Sequence, residues 1–114
     1  MHELSLSESI TELVVECARR EGVERVSKVV IALGEAAAVD AESLRFCFPI
    51  TAADTIAAGA ELVIDRIALK ASCEACHAEY APPTLIAPCP VCGSHARKII
   101  EGREMRVVSF SGCG

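Results

Sequence analysis

Two pairs of cysteines constrain the fold of this chain more than any other feature of its sequence. Cys73 and Cys76 form the first pair and Cys89 and Cys92 the second, with two residues inside each pair and twelve between the pairs. Two intervening residues let one turn of backbone present both sulfurs to the same ion, and two such turns make a closed tetrahedral site. The spacing therefore predicts a structural zinc site with no coordination position left for a substrate.

The same four cysteines fit three other kinds of chemistry. Four thiolates also bind iron, as in a rubredoxin-like electron carrier. The run from Cys73 to His77 matches the haem-attachment pattern, and either pair alone matches a redox motif. Haem attachment and redox exchange each leave one cysteine pair without a role. Zinc is therefore the primary prediction, and iron is an alternative.

Three further cysteines lie outside the pairs. Cys17 and Cys47 occur on the apolar faces of predicted helices, where cysteine behaves as a small hydrophobic residue. Cys113 lies in a Ser-Gly-Cys-Gly tail. We expect the first two to be core residues and the third to be exposed.

Charge and hydropathy exclude several classes of function. The net charge of −5 is a poor match for nucleic acid or an anionic membrane, which bind through lysine and arginine. The first residues lack the basic and apolar segments of a signal peptide, and the apolar stretch 29–39 is far short of a membrane span. No catalytic triad or phosphate-binding loop is evident. We expect a cytoplasmic protein that is not an enzyme.

Apolar periodicity predicts two helices and three strands. The first helix is predicted over residues 4–21, with Ser5 and Glu8 as a capping box. Its apolar face is predicted to comprise Leu6, Ile10, Leu13, Val14, Cys17 and Ala18. A second helix is predicted over residues 40–53, capped by Asp40 and either ended or bent near Pro49. Strands are predicted over residues 25–33, 61–69 and 104–110.

The stretch 71–97 differs from the rest of the chain, because it is rich in cysteine and proline and poor in large aliphatic residues. We therefore predict an α/β (α+β) fold in which two helices pack on a three-stranded sheet and a zinc-ribbon-like domain is inserted before the last strand. Residues 1–70 plus 99–114 are predicted to form the α/β domain, and residues 71–98 the inserted four-cysteine domain.

The amino terminus, Met1-His2-Glu3, suggests a second metal. The terminal amine and the imidazole have unperturbed pKa values of about 8 and about 6.5, so both offer lone pairs at cellular pH. A deprotonated His2 amide would close one chelate ring with the Met1 amine and another with His2 Nδ1, which places three nitrogens in one plane. Nickel(II) favours square-planar nitrogen ligands. The fourth position is left open to the Glu3 carboxylate, His77, His95 or a client protein.

Several segments together resemble the HypA/HybF family of hydrogenase nickel-incorporation proteins. They are residues 1–5 (Met-His-Glu-Leu-Ser) leading into a helix, residues 44–48 (Leu-Arg-Phe-Cys-Phe), the cysteine pairs ending in Cys-Pro-Val-Cys-Gly, and residues 102–107 (Gly-Arg-Glu-Met-Arg-Val). The resemblance covers essentially the whole chain in order. The alanine-rich stretch 34–39 departs from the family pattern, as do the three cysteines outside the pairs.

The resemblance implies a nickel metallochaperone. It assigns nickel(II), as transient cargo, to Met1, His2 and Glu3, and structural zinc(II) to Cys73, Cys76, Cys89 and Cys92. It implies a nickel-handling GTPase and the large subunit of a nickel–iron hydrogenase as partners, with urease as a further client. It leaves open whether the chain forms a homodimer. The alternative function is a zinc-ribbon adaptor that binds nucleic acid or a protein.

Overall fold

The computed structural model describes residues 2–113, and of His2 only the backbone. Within this range the chain forms two helices and six strands. In order they are α1 (His2–Arg20), β1 (Arg25–Gly34), α2 (Ala41–Ala52), β2 (Glu61–Ile67), β3 (Lys70–Cys73), β4 (Glu79–Tyr80), β5 (Arg97–Glu101) and β6 (Met105–Cys113). The strands form two three-stranded sheets, ordered β2-β1-β6 and β4-β3-β5. The predicted helices and the three predicted strands are confirmed, whereas β3, β4 and β5 were not predicted.

The chain divides into two compact units. The first unit comprises Met1–Ile31, Val39–Asp65 and Arg106–Gly114, and the second comprises Ala32–Ala38 and Arg66–Met105. All four paired cysteines fall in the second unit. No helix within the described range is long and apolar enough to cross a membrane. The assignment of nickel to one domain and zinc to an inserted one stays a prediction.

In the first unit, α1 begins three residues before Ser5. The predicted capping box of Ser5 and Glu8 is therefore wrong, because a cap lies at the residue preceding the first helical turn. The Glu3 carboxylate instead accepts a hydrogen bond from the backbone N–H of Asp40 at 3.1 Å. The start of α1 is thus tied to the start of α2 by a contact between residues far apart in sequence.

The buried face of α1 is partly polar. Leu13, predicted to be buried, is 49% exposed, whereas Ser7 and Thr11 are buried. Both hydroxyls lie within hydrogen-bonding distance of Thr51 Oγ1 on α2, at 2.8 Å and 2.9 Å. Hydrogen bonding removes most of the penalty for burying these groups, so the helix turns a different face to the core than hydrophobicity alone indicates.

Helix α2 continues through Pro49 to Ala52. Its start is capped as predicted: the Asp40 carboxylate accepts hydrogen bonds from the Glu42 N–H at 3.1 Å and from the Ser43 hydroxyl at 2.9 Å. These two contacts, the Ser43 hydroxyl first, hold the pKa of Asp40 below its usual value. Leu44, Cys47, Phe48 and Ala52 are buried. Their packing on one face supports the last turn despite the hydrogen bond that proline removes.

In the second unit, two glycines allow a close approach of backbone. A Cβ atom at Gly34 would collide with the backbone of Gly102. The amide of Gly34 donates to the Glu104 carbonyl at 2.8 Å, and the amide of Ala36 donates to the Gly102 carbonyl at 2.6 Å. Gly102 itself has a φ of 112°, which disfavours residues with a side chain.

Candidate metal centre

The structure brings the sulfurs of Cys73, Cys76, Cys89 and Cys92 together, with all four within 4.8 Å of one another. Sγ of Cys73 lies 3.5 Å from that of Cys92, and Sγ of Cys76 lies 3.7 Å from that of Cys89. Sulfurs at about 2.3 Å from a central zinc form a tetrahedron with edges of about 3.8 Å, whereas a disulfide requires about 2.0 Å. The arrangement therefore fits a tetrahedral four-thiolate metal site.

Two equivalent backbone loops present these sulfurs. In the first loop the amide of Cys73 donates to the Ala78 carbonyl at 2.8 Å, and the amide of His77 donates to the Cys73 carbonyl at 2.9 Å. In the second loop the amides of Cys89 and Gly93 make the corresponding bonds, to the carbonyls of Ser94 and Cys89, at 2.9 Å and 2.8 Å. The predicted turns of backbone are thus present, each closed by its own hydrogen bonds.

The residue directly after each pair adopts a left-handed conformation. His77 has a φ of 64° and Gly93 a φ of 77°. Glycine adopts this conformation without steric cost, and histidine is among the few other residues found there with some frequency. The left-handed backbone conformation therefore accounts for histidine at position 77 without a role in metal binding.

The fold buries one cysteine of each pair. Cys73 and Cys89 are almost fully buried, at 0% and 2% exposure, and Cys92 is exposed. Cys73 ends β3, where it pairs with Arg97 of β5 in the antiparallel register. The sheet β4-β3-β5 therefore fixes the position of the first loop.

Backbone amides favour the thiolate form of the first cysteine in each pair. The amide of Cys76 donates to Sγ of Cys73 at 3.5 Å and lowers the pKa of Cys73 to about 6. The amide of Cys92 and then that of Val91 lower the pKa of Cys89 in the same way. Charge on these two sulfurs is stabilised before a cation contributes.

The second cysteine of each pair resists ionisation. A hydrogen bond from the Ala78 amide lowers the pKa of Cys76, but burial and the neighbouring sulfurs outweigh it and raise that pKa to about 12. A hydrogen bond from the Ser94 amide lowers the pKa of Cys92, but the neighbouring Cys73 sulfur and partial removal from water outweigh it, so this pKa is also raised. A divalent cation must therefore displace protons from Cys76 and Cys92 to bind all four sulfurs.

The nickel ligands predicted at the amino terminus are only partly visible. Met1 and the side chain of His2 lie outside the described residues. The backbone of His2 begins α1, and the first N–H groups of a helix have no partner within it. The half-buried Glu3 side chain uses one carboxylate oxygen to accept from Asp40 N–H, which leaves the second oxygen for a further interaction.

The other candidate nickel ligands lie in the second unit. His77 and His95 are both exposed. His77 closes the first cysteine loop, and His95 lies two residues before Arg97 at the start of β5. The contribution of either histidine to a nickel site stays a prediction.

Three smaller predictions on cysteines have clear outcomes. Cys47 is buried and Cys113 is exposed, as predicted. Cys17 is only partly buried, because it lies beside the fully buried face of α1 that runs through Val14 and Ala18. None of these three cysteines joins the four-sulfur cluster.

Comparison with known proteins gives a consistent result along the whole chain. A family model described as hydrogenase/urease nickel incorporation, metallochaperone, HypA, matches residues 1–112. The hydrogenase maturation factor HypA of Chlorobaculum tepidum is 43% identical over 111 residues, which cover 97% of this chain and 98% of the relative. The protein of the same name from Psychromonas ingrahamii is 37% identical over 110 residues, with 96% of each chain covered.

Solved structures share the fold. A solution structure of a HypA protein superimposes with a TM-score of 0.74 at 27% identity, covering 98% of this chain and 96% of that one. The solution structure of the Ni metallochaperone HypA from Helicobacter pylori has a TM-score of 0.68 at 24% identity, with 97% of each chain covered. At the lower identity the likeness concerns the fold alone. Together with the two helices and two small sheets, these likenesses confirm the predicted fold class.

Proposed function

This chain belongs to the HypA family, as its sequence motifs predicted, and we propose that it carries nickel(II) at its amino terminus for delivery to a nickel enzyme under assembly. The observation that supports this most strongly is the match of a nickel-incorporation family model to residues 1–112. The match includes the start of the chain, where Met1, His2 and Glu3 provide nitrogen and oxygen ligands. The client is a nickel–iron hydrogenase, with urease as a second candidate.

The proposed nickel ligands are the Met1 amine, the His2 amide and imidazole, and Glu3. The position of His2 in the first turn of α1 supports this assignment, because its amide is not needed for a helical hydrogen bond. Glu3 has a second role in contacting Asp40 N–H. A ligand set drawn from a helix terminus is easily reorganised, and this favours release of the metal to a partner.

We assign a structural zinc(II) ion to Cys73, Cys76, Cys89 and Cys92. The sulfur separations of 3.5 Å and 3.7 Å support a tetrahedral ion of this size. A site with four protein ligands has no open position, so its contribution is to hold the cysteine loops against β3 and β5. Zinc fits this role because it has no redox chemistry and accepts tetrahedral thiolate readily.

The proposed partners follow from the proposed activity. They are a nickel-handling GTPase and the large subunit of the hydrogenase, both acting in the cytoplasm. The protein makes and breaks metal–ligand bonds without converting a substrate, so it is proposed to act as a carrier and not as an enzyme. Homodimer formation is compatible with this role but is not required by it.

Titration of nickel(II) into untagged, zinc-loaded protein tests the proposal. We expect one equivalent to bind, with the visible absorption of square-planar nickel, and His2→Ala to lose this binding while retaining zinc. His77→Ala and His95→Ala are matched controls, because they remove an imidazole elsewhere. Loss of nickel in either control alone would identify the fourth ligand.

Equal nickel binding by the native protein and His2→Ala would contradict the amino-terminal site. Failure of both proteins to bind nickel would contradict the carrier function as a whole. In the second case the four-cysteine site would remain, and a zinc-ribbon adaptor would become the better proposal. Binding of a nucleic acid or protein partner by nickel-free protein would then be the next measurement.

A further inference from the structure

Strand β5 forms an edge of the sheet in the second unit. The sheet order is β4-β3-β5, so β5 pairs with β3 on one side. No other backbone hydrogen bond reaches residues 97–101 from the described part of the chain. One edge of this five-residue strand is therefore open to a further strand.

The antiparallel register identifies which backbone groups face this open edge. The amide of Glu74 donates to the Ala96 carbonyl at 2.8 Å, and Arg97 pairs with Cys73 in the same register. Residues that hydrogen bond to the partner strand alternate with residues that do not. Ala96 therefore faces β3, whereas the N–H and C=O groups of Arg97 and Ile99 point to the open edge.

A hollow of about 480 Å³ lies along the same part of β5. Its lining comprises Leu85, Ile86, His95, Arg97, Ile99 and Arg103. Alternation along a strand places the side chains of Arg97 and Ile99 on one face of the sheet. Ile86 is 78% exposed and Leu85 is 41% exposed, so apolar surface accompanies the open edge.

The hollow is cationic in a chain with a net charge of −5. No acidic residue is among its lining residues, and neither Arg97 nor Arg103 forms an ion pair within residues 2–113. The Arg97 guanidinium donates to the carbonyls of Ala87 and His95 at 3.4 Å and 3.3 Å. These contacts position the group and leave further N–H donors for a carboxylate.

We propose that the open edge of β5 binds an extended, acidic segment of a partner protein as an added strand. The segment pairs its backbone with Arg97 and Ile99, places an apolar side chain against Leu85 and Ile86, and presents carboxylates to Arg97 and Arg103. Strand addition of this kind draws affinity from backbone hydrogen bonds and specificity from alternate side chains. The site lies among the zinc-bearing residues and does not require nickel, so it goes beyond metal delivery.

A β-bulge limits the length of the added strand. The register shifts between Lys70 and Ala71, so Ile99 pairs with Ala71 and Glu101 with Lys70, and Ile100 has no direct partner. Bulges disrupt the regular ladder and bend the strand. The bound segment therefore pairs over Arg97 to Ile99 only.

A blocked peptide, acetyl-Glu-Thr-Leu-Thr-Glu-Thr-amide, is a suitable probe, because its two glutamates and its leucine share one face of an extended chain. It is added to full-length, zinc-loaded, 15N-labelled protein. We expect shifts centred on residues 85–86 and 97–103, and slower amide hydrogen exchange at Arg97 and Ile99. The exchange result separates strand addition from contact through side chains alone.

Charge reversal provides the matched test. Arg103→Glu changes an exposed residue and is expected to weaken binding of the acidic peptide at least tenfold, whereas Arg19→Glu on α1 leaves it unchanged. A peptide with lysine in place of both glutamates is expected to bind Arg103→Glu better than it binds the native protein.

Three results of the peptide experiments would overturn the proposal. They are equal affinity for the acidic and the lysine peptide, shifts confined to residues outside 85–103, and absence of binding at about 1 mM peptide. Concentration-dependent shifts at residues 97–99 without peptide would also overturn it, since a second copy of the chain would then occupy the edge. Nickel binding can be intact in each of these cases, so the test is independent of the nickel proposal.

Discussion

In the second unit four sulfurs lie within 4.8 Å of one another, whereas at the amino end the structure places one candidate ligand, the Glu3 carboxylate, against the start of α2. The cysteine loops are closed by their own backbone hydrogen bonds and attached to a sheet. Two of the proposed nickel ligands, His2 and Glu3, belong to the first turn of α1, whose N–H groups have no partner within the helix. We therefore propose that the cysteine cluster retains its metal, whereas the amino end exchanges the metal it carries.

Removing one buried sulfur should have the largest effect, because it should release the zinc ion and unfold the second unit. Cys89→Ser leaves three thiolates, and we expect loss of the zinc, whose binding free energy in structural sites is about 10–16 kcal/mol. The amide signals of residues 66–105 should lose their dispersion, while those of α1 and α2 remain. Metal analysis and a 15N–1H spectrum measure both effects.

Cys113→Ser is the control for that variant, because Cys113 is exposed and lies outside the cluster. It should retain one zinc ion per chain and a native spectrum. Full zinc content in Cys89→Ser would show that the closed four-sulfur site is not what holds the metal.

Acetylation of the Met1 amine should weaken nickel binding at the amino terminus without affecting the four-cysteine site. The acetyl group removes one nitrogen lone pair and the chelate ring that depends on it, so we expect nickel affinity to fall at least about a hundredfold, or about 2.7 kcal/mol. Zinc content should not change. Calorimetric titration of acetylated and free protein with nickel(II) provides the measurement, and equal affinities would place the nickel site elsewhere.

Zinc binding should release protons in a number that reflects the four thiol pKa values. At pH 7.5 Cys73 is already ionised, with its pKa lowered to about 6, whereas Cys76, with its pKa raised to about 12, is protonated. The pKa of Cys92 is also raised and that of Cys89 lowered. We therefore expect between two and three protons per zinc at pH 7.5, and more as the pH falls through about 6.

Calorimetry in buffers of different ionisation enthalpy counts these protons. Because the zinc-bound sulfurs are thiolates, the apparent zinc affinity rises with pH wherever the thiols of the metal-free protein are protonated. Release of four protons at pH 7.5 would show that the backbone amides do not favour the thiolate of either first cysteine. Nickel-free protein is used, so the amino end does not contribute.

Removing the hydrogen bond between Glu3 and Asp40 should have the smallest effect, a slight loss of thermal stability. Glu3→Ala removes the acceptor, and an exposed hydrogen bond of this kind stabilises by about 0.5 kcal/mol, or about 2–4 °C in Tm. Glu3→Gln retains an oxygen acceptor and should unfold at nearly the native temperature. Weaker nickel binding by Glu3→Gln at an unchanged Tm would assign the carboxylate to the metal, whereas unchanged binding would favour another fourth ligand.

The four-cysteine cluster was predictable from sequence because the spacing within each pair is a local property. Two residues between cysteines determine one turn of backbone, and the structure forms that turn twice. The strands beside the cluster were not predictable in the same way. Strand β3 spans only Lys70–Cys73, and its buried residues, Ala71 and Cys73, are too small to produce a clear hydrophobic alternation.

Contacts between distant residues explain the other differences. The Ser5 and Glu8 pattern indicated a helix start that the structure places at His2, and no local pattern links Glu3 to Asp40. Similarly, burial of Ser7 and Thr11 depends on the Thr51 hydroxyl, more than 35 residues away in sequence. Hydrophobic periodicity located both helices, but it did not identify polar residues that gain their partners only in the folded chain.

X-ray absorption at the zinc and nickel edges of one doubly loaded, untagged sample would identify the neighbours of each metal ion separately. We expect four sulfur neighbours at about 2.3 Å around zinc, and only nitrogen and oxygen neighbours around nickel. Sulfur in the nickel shell, or fewer than four sulfurs around zinc, would contradict the separation of a retained structural metal from an exchangeable cargo metal.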